Sequence, residues 1–167
     1  MSDVTSRLLI KHRLLDDASV RRLLLERFAR HEIAPERIAF KGSASREVQL
    51  ATYQRVDICL DPLPHGGGVS TWEALYMGVP VVAQLGNGVA ARAAGAILSS
   101  VGMADWVAAD DDQYVAIALG ATADRLGTIR SELSSRIERR CSPAEYTRTV
   151  EAAYRTMWQK YCDAPQS

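Results

Sequence analysis

The stretch from Asp57 to Val82, DICLDPLPHGGGVSTWEALYMGVPVV, constrains the fold more than any other part of the chain. Ile58, Cys59 and Leu60 form a short apolar run bounded by a turn-rich loop, and Val79 to Val82 form a second run after Gly78. Both read as buried strands. Between them Pro62, Pro64, Gly66, Gly67 and Gly68 exclude regular structure, and Ser70 with Glu73 three residues on predicts a capping box at a helix start. The order strand, glycine loop, helix, strand belongs to a parallel sheet, whose neighbouring strands must be joined by crossovers. The loop then lies at the carboxyl end of a strand. There, glycines let a ligand approach the backbone and the helix N-terminus presents unpaired N–H groups, which suits a phosphate.

The flanking segments repeat the alternation. Leu8, Leu9 and Ile10 predict a strand, and Val20, Leu23, Leu24 and Phe28 recur at helical spacing up to about His31. Ile38 to Phe40 predict a second strand stopped at Gly42, and Ser45, Val48, Leu50 and Tyr53 a short helix before the central strand. After Gly86-Asn87-Gly88, residues Val89, Ala93, Ile97 and Val101 step down one face of a helix closed by Gly102. Trp106 and Val107 suggest an edge strand, Asp110 with Gln113 a helix start, and Ile129, Leu133 and Ile137 a further helix. Ser142-Pro143-Ala144-Glu145 combines an N-cap, a proline at the first helical position and a capping glutamate. The last helix, over residues 143–161, is expected to lay Tyr146, Val150, Met157 and Tyr161 along the body of the domain. The fold class is α/β, a doubly wound parallel sheet of Rossmann-like type, in one domain over residues 1–167.

Composition narrows the partners. With 20 basic and 20 acidic residues there is no bulk attraction for nucleic acid or an anionic membrane surface. No stretch has the length of a membrane span, and the N-terminus has no apolar leader. Cys59, Cys141 and Cys162 are odd in number and far apart, fitting neither a disulfide framework nor a metal pattern, so a soluble chain in a reducing cytoplasm is expected. No carboxylate pair, Ser-His-Asp set or metal cluster stands out, so no catalytic and no metal-binding residue is assigned.

The segment LDPLPHGGGVSTWEALYMGVPVV resembles the nucleotide-sugar-binding segment of the O-GlcNAc transferase and SPINDLY-type protein O-glycosyltransferases, its E-x-L-Y-M-G-V-P ending being most similar to SPINDLY. Weaker similarity extends from about Leu8 to Trp158. The resemblance implies the C-terminal lobe of a GT-B enzyme: inverting, metal-independent, without a cofactor, and transferring sugar from UDP-GlcNAc or GDP-fucose to protein Ser or Thr. It implies an N-terminal catalytic lobe and a preceding tetratricopeptide-repeat region as partners. It also implies that the lobe's first strand and helix, with a pyrophosphate-binding lysine, have no counterpart here. The second and fourth strands of the usual order would then pair directly or accept a strand from another chain, making a homo-oligomer by strand exchange an expectation. Isolated, such a lobe binds its donor and does not turn it over, and the alternative is a non-catalytic nucleotide-binding or assembly module derived from it.

The resemblance gives Glu73 the donor ribose hydroxyls, whereas its spacing from Ser70 alone fits a capping glutamate equally well. Gly67, Gly68, Val69, Ser70 and Thr71 would offer backbone N–H groups and hydroxyls to the diphosphate. Arg46 and Gln49 stand where the family places a basic and a polar side chain near the base, with Ala44 beside them for backbone contacts. His65 could reach a phosphate or the sugar, or be an exposed loop residue. Arg92 matches a family arginine that lines the cleft, and a structural salt bridge accounts for it as well. Trp72, Trp106 and Trp158 read as core or interface residues.

Overall fold

The computed structural model describes residues 6–164, so part of the N-terminal segment read above lies outside the described residues. The chain divides into two compact units, Met1–Val56 and Asp57–Ser167. The first holds strands β1 (Leu8–Lys11) and β2 (Ile38–Lys41), paired in parallel with Leu8 opposite Ile38, and helices α1 (Ala18–Ala29) and α2 (Arg46–Thr52). The chain leaves β1 through a 3-10 turn, Arg13–Asp16, whose Leu15 is buried. Asp17 caps α1 by accepting the Ser19 N–H, and Ser45 caps α2 by accepting that of Val48. The apolar face expected for α1 is only half covered. No residue of α1 is buried and Leu23 is exposed, because two strands offer too little sheet to cover a twelve-residue helix.

The second unit is a three-stranded parallel sheet in the order β3-β4-β5, from β3 (Cys59–Leu60), β4 (Val81–Gln84) and β5 (Val107–Ala108). β4 lies in the middle, and its Val81, Val82 and Ala83 are all buried, as expected of a strand covered on both faces. Crossover helix α3 (Val69–Tyr76) joins β3 to β4, and α4 (Val89–Ser100) joins β4 to β5. Helices α5 (Asp111–Leu119), α6 (Ala123–Arg140) and α7 (Pro143–Asp163) follow. Leu75 of α3, Leu98 of α4, Trp106 and Leu133 of α6 are almost wholly enclosed and form the core with β4. Each such side chain contributes about 1.5–3 kcal/mol by leaving water.

Helix ends follow from sequence. At the end of α3 the Val79 N–H reaches the Ala74 carbonyl at 2.8 Å and the Gly78 N–H that of Leu75 at 3.0 Å. This paired closure needs a left-handed residue, supplied by Gly78 at φ +79°. The start of α5 is as predicted, with Asp110 accepting the Gln113 N–H at 2.8 Å while the Gln113 side chain accepts the Ala109 N–H at 2.7 Å. Ser142 caps α7 as predicted.

Of the two alternatives expected for β1 and β3, direct pairing is not formed among the described residues, where the strands make two sheets, β1-β2 and β3-β4-β5. A second expectation fails. Helix α7 does not lay its apolar face on the unit. Tyr146, Tyr154, Met157, Trp158 and Tyr161 are all exposed, and only Val150 of that face is half covered. Ile129, Leu133 and Ile137 of α6 are buried in the core, and no residue of α7 joins them there.

Candidate functional site

The loop after β3 is held by one aspartate. The Asp61 N–H continues the ladder to the Val82 carbonyl at 2.9 Å, and its buried side chain turns back to accept the Gly67 N–H at Oδ1, 2.6 Å away. Its backbone carbonyl accepts the Tyr114 hydroxyl of α5 at 3.0 Å. Burial raises the Asp61 pKa, opposed by the Gly67 N–H and the nearby His65. Burial, with the Asp61 charge, pushes the Tyr114 phenol up to about 12, so it stays a donor at physiological pH. Residues 62 to 66 thus arch over a carboxylate that anchors both ends of the loop.

Gly67 is required by space. A Cβ there would lie 2.7 Å from Thr71 Oγ1, 2.8 Å from Ser70 Oγ and 3.0 Å from Asp61 Oδ1. A Cβ on Gly66 would likewise lie 2.8 Å from the other Asp61 oxygen and 3.3 Å from the Ala90 carbonyl, which places the loop against the first turn of α4. Gly68, by contrast, is open on that side, with nothing within 4 Å of the point where a Cβ would stand.

The helix starts differ in a telling way. Among the described α-helices, α1, α2, α5, α6 and α7 each begin with a side chain accepting a first-turn N–H: Asp17, Ser45, Asp110, Thr122 and Ser142. Helices α3 and α4 begin on Gly68 and Gly88 with no side-chain cap. These two leave the carboxyl ends of β3 and β4, the edge of a parallel sheet where ligands bind. Their first residues, Val69 and Val89, are 72% and 91% exposed, so these uncapped ends, with the positive pole of the helix dipole, are open to an anion.

The profile of glycosyl transferase family 41 matches residues 13–149. The chain belongs to this family. A probable UDP-N-acetylglucosamine–peptide N-acetylglucosaminyltransferase SPINDLY from Solanum lycopersicum is 33% identical over 163 residues, covering 95% of this chain and 18% of the tomato protein. The SPINDLY protein of Oryza sativa subsp. japonica is also 33% identical over 163 residues, with the same coverage. A solved mutant of the Thermobaculum terrenum O-GlcNAc transferase superposes with a TM-score of 0.87 at 32% identity, covering 93% of this chain and 31% of that one. The chain therefore has the α/β Rossmann-like fold of part of that enzyme, and spans about a fifth of the length of the curated plant relatives.

In this family 41 chain the residues expected at the site fall into two groups. Gly67, Gly68, Val69, Ser70, Thr71 and Glu73 come together at the start of α3, with His65 exposed in the loop before it. The helix begins earlier than predicted, at Val69, and its N-cap is Gly68. Ser70 is the second helical residue and cannot be the N-cap, so the expected capping box is not formed. The loop delivers Gly67 so close to the helix that the N-cap falls on the next residue. Glu73 lies one turn in and is only 8% exposed, beside the buried Thr71. Ala44, Arg46 and Gln49 lie in the first unit, after β2 and in α2, where the Gln49 side chain accepts a hydrogen bond from Lys11 Nζ at 3.1 Å. Exposed Arg92 donates from Nε to the Gly86 carbonyl at 3.0 Å, bracing the turn before α4.

Asp61 and Tyr114, which hold the loop, are absent from the sequence-based set of site residues. The signal for Asp61 was present, as an Asp-Pro pair ending a strand and opening a turn. Tyr114 had none, since its contact spans 53 residues. Among the described residues no group of three His, Cys, Asp or Glu side chains could hold a metal ion, and no helix is long and apolar enough to cross a membrane.

Proposed function

We propose that this chain is the donor-binding part of a protein glycosyltransferase, holding the diphosphate of a UDP-GlcNAc- or GDP-fucose-type donor at the start of α3. The uncapped N-terminus on Gly68, in a member of family 41, is the observation that carries the reading. The N–H groups of Val69, Ser70 and Thr71 face the phosphates, and the Ser70 hydroxyl adds a donor. Glu73, one turn into α3, accepts from the ribose hydroxyls. Fixed N–H donors and the helix dipole stabilise the charge that grows on the leaving diphosphate, where preorganised donors are most effective. The sugar passes with inversion and without a metal to a protein Ser or Thr hydroxyl, and the residues acting on that acceptor belong to an N-terminal catalytic lobe, with tetratricopeptide repeats before it, in the cytoplasm. Names carried by the tomato and rice relatives, which describe transfer of N-acetylglucosamine to peptide, support the reaction class.

Calorimetric titration of the chain with UDP and with GDP tests the reading, repeated on Glu73→Gln after circular dichroism shows that the variant is folded. Saturable binding of one nucleotide, weakened at least tenfold in the variant, is expected. Absence of binding to either nucleotide, or equal binding by the variant, contradicts the proposal.

A further inference from the structure

The start of α3 is fixed from outside the helix. A side-chain cap would occupy an N–H group of the first turn, and α3 has none. The chain is held instead one residue before the Gly68 N-cap, where the buried Asp61 accepts the Gly67 N–H at Oδ1, 2.6 Å away. This arrangement orders the turn without setting a capping side chain on the first-turn donors. Asp61 is itself fastened on both sides. Its N–H reaches the Val82 carbonyl of β4 at 2.9 Å, and its own carbonyl accepts the Tyr114 hydroxyl at 3.0 Å. The helix that carries Tyr114 is tied to the same edge of the sheet a second time: Gln84, the last residue of β4, donates from Nε2 to Asp111 Oδ1 in the first turn of α5 at 2.9 Å.

We infer that Asp61 and Tyr114 are positioning residues of the proposed diphosphate site, acting through Gly67 to aim the Val69, Ser70 and Thr71 N–H groups. The inference rests on the functional reading above. Donors aimed before the ligand arrives spare it the free-energy cost of ordering them, and supporting contacts of this kind decide how closely a site keeps its geometry. What Gly67 needs from residue 61 is an acceptor and not a charge. An asparagine there keeps an oxygen for the Gly67 N–H, whereas an alanine leaves that N–H without it. The carboxylate charge itself repels a neighbouring diphosphate, so Asp61→Asn keeps the hydrogen bond while removing the repulsion. Tyr114→Phe keeps the ring and removes only the hydroxyl that braces the Asp61 carbonyl.

Nucleotide affinity and amide exchange, measured on variants that circular dichroism shows to be folded at the temperature used, test the inference. Calorimetric titration of the wild-type chain with UDP and with GDP comes first, and binding of neither overturns the functional reading and this inference with it. With the nucleotide that binds, Asp61→Ala and Tyr114→Phe are each expected to weaken affinity at least fivefold, and Asp61→Asn to bind at least as tightly as wild type. Hydrogen exchange without nucleotide should show the Gly67 amide exchanging at least tenfold faster in Asp61→Ala, with its protection regained in Asp61→Asn. A merely structural contact would lower the melting midpoint and leave the affinity of the folded chain where it was. The positioning role alone is therefore overturned if wild type binds and either Asp61→Ala or Tyr114→Phe keeps its affinity. The same holds if Asp61→Asn binds as weakly as Asp61→Ala, or if Gly67 exchange is equal in wild type and Asp61→Ala.

Discussion

Replacing Gly67 with alanine tests whether the glycine loop is shaped by close packing around Asp61. The new methyl would sit 2.7 Å from Thr71 Oγ1, 2.8 Å from Ser70 Oγ and 3.0 Å from Asp61 Oδ1, all inside van der Waals contact. The Ser70 side chain is exposed and can rotate away. Thr71 cannot do so easily, being buried and branched at Cβ. Asp61 can retreat only by releasing the Gly67 N–H, which it accepts at 2.6 Å. Overpacking of this kind costs about 1–3 kcal/mol, and for a chain of this size each kcal/mol lowers the melting midpoint by roughly 2–4 °C. Gly68→Ala is the control, because nothing lies within 4 Å of its added methyl. Its loss should be the smaller of the two, about 0.5–1 kcal/mol, the cost of alanine in place of glycine at the N-cap of α3. Urea unfolding followed by circular dichroism measures both. A Gly67→Ala midpoint equal to wild type, or equal losses in the two variants, would refute the steric argument.

Other consequences are as direct. Asp61 has a raised folded pKa, so its titration favours the fold below the unfolded pKa and withdraws that contribution as pH rises through the folded value. Asp61→Asn should therefore gain stability relative to wild type as pH rises from about 3 to 7, and a flat difference in melting midpoint would contradict the buried carboxylate. Asp61→Ala, leaving the Gly67 N–H without its acceptor, should lose about 1–3 kcal/mol in urea unfolding. Burial pushes the Cys59 thiol up to about 11, whereas Cys141 and Cys162 are exposed. A disulfide reagent at neutral pH should thus titrate two thiols quickly and the third only on unfolding, and three fast thiols would contradict the packing of β3. Trp158 is 66% exposed and stacked on Tyr161, while Trp106 is enclosed under Arg125. Trp158→Phe should remove most of the acrylamide-quenchable fluorescence, and an unchanged quenching curve would place α7 against the unit after all.

Local signals read well from sequence where the answer is local. Asp110 with Gln113, Ser45 before Arg46, and Ser142 before Pro143 each cap the predicted helix, because a cap is settled within four residues. The β4 run was legible as a buried strand, although it begins at Val81 and not Val79: the Val79 N–H is taken by the end of α3. The start of α3 was misplaced because Ser70 and Glu73 have capping-box spacing, while the actual start is decided by Asp61 pulling Gly67 in from six residues away. An amphipathic pattern says that a face can be covered and not by what. Tyr146, Met157 and Tyr161 on α7 have that pattern and stay exposed. At the candidate site, Gly67 to Glu73 lie together at the start of α3 because they are near neighbours in the chain, whereas the contact of Tyr114 with Asp61 depends on tertiary structure alone.

The proposed placement of a donor diphosphate is tested by backbone amide shifts of the chain during titration with UDP, and separately with GDP. One nucleotide is expected to move the Val69, Ser70 and Thr71 amides first and furthest, with Gly67 and Gly68 beside them. Saturable shifts that leave the start of α3 unmoved would contradict the placement of the diphosphate there.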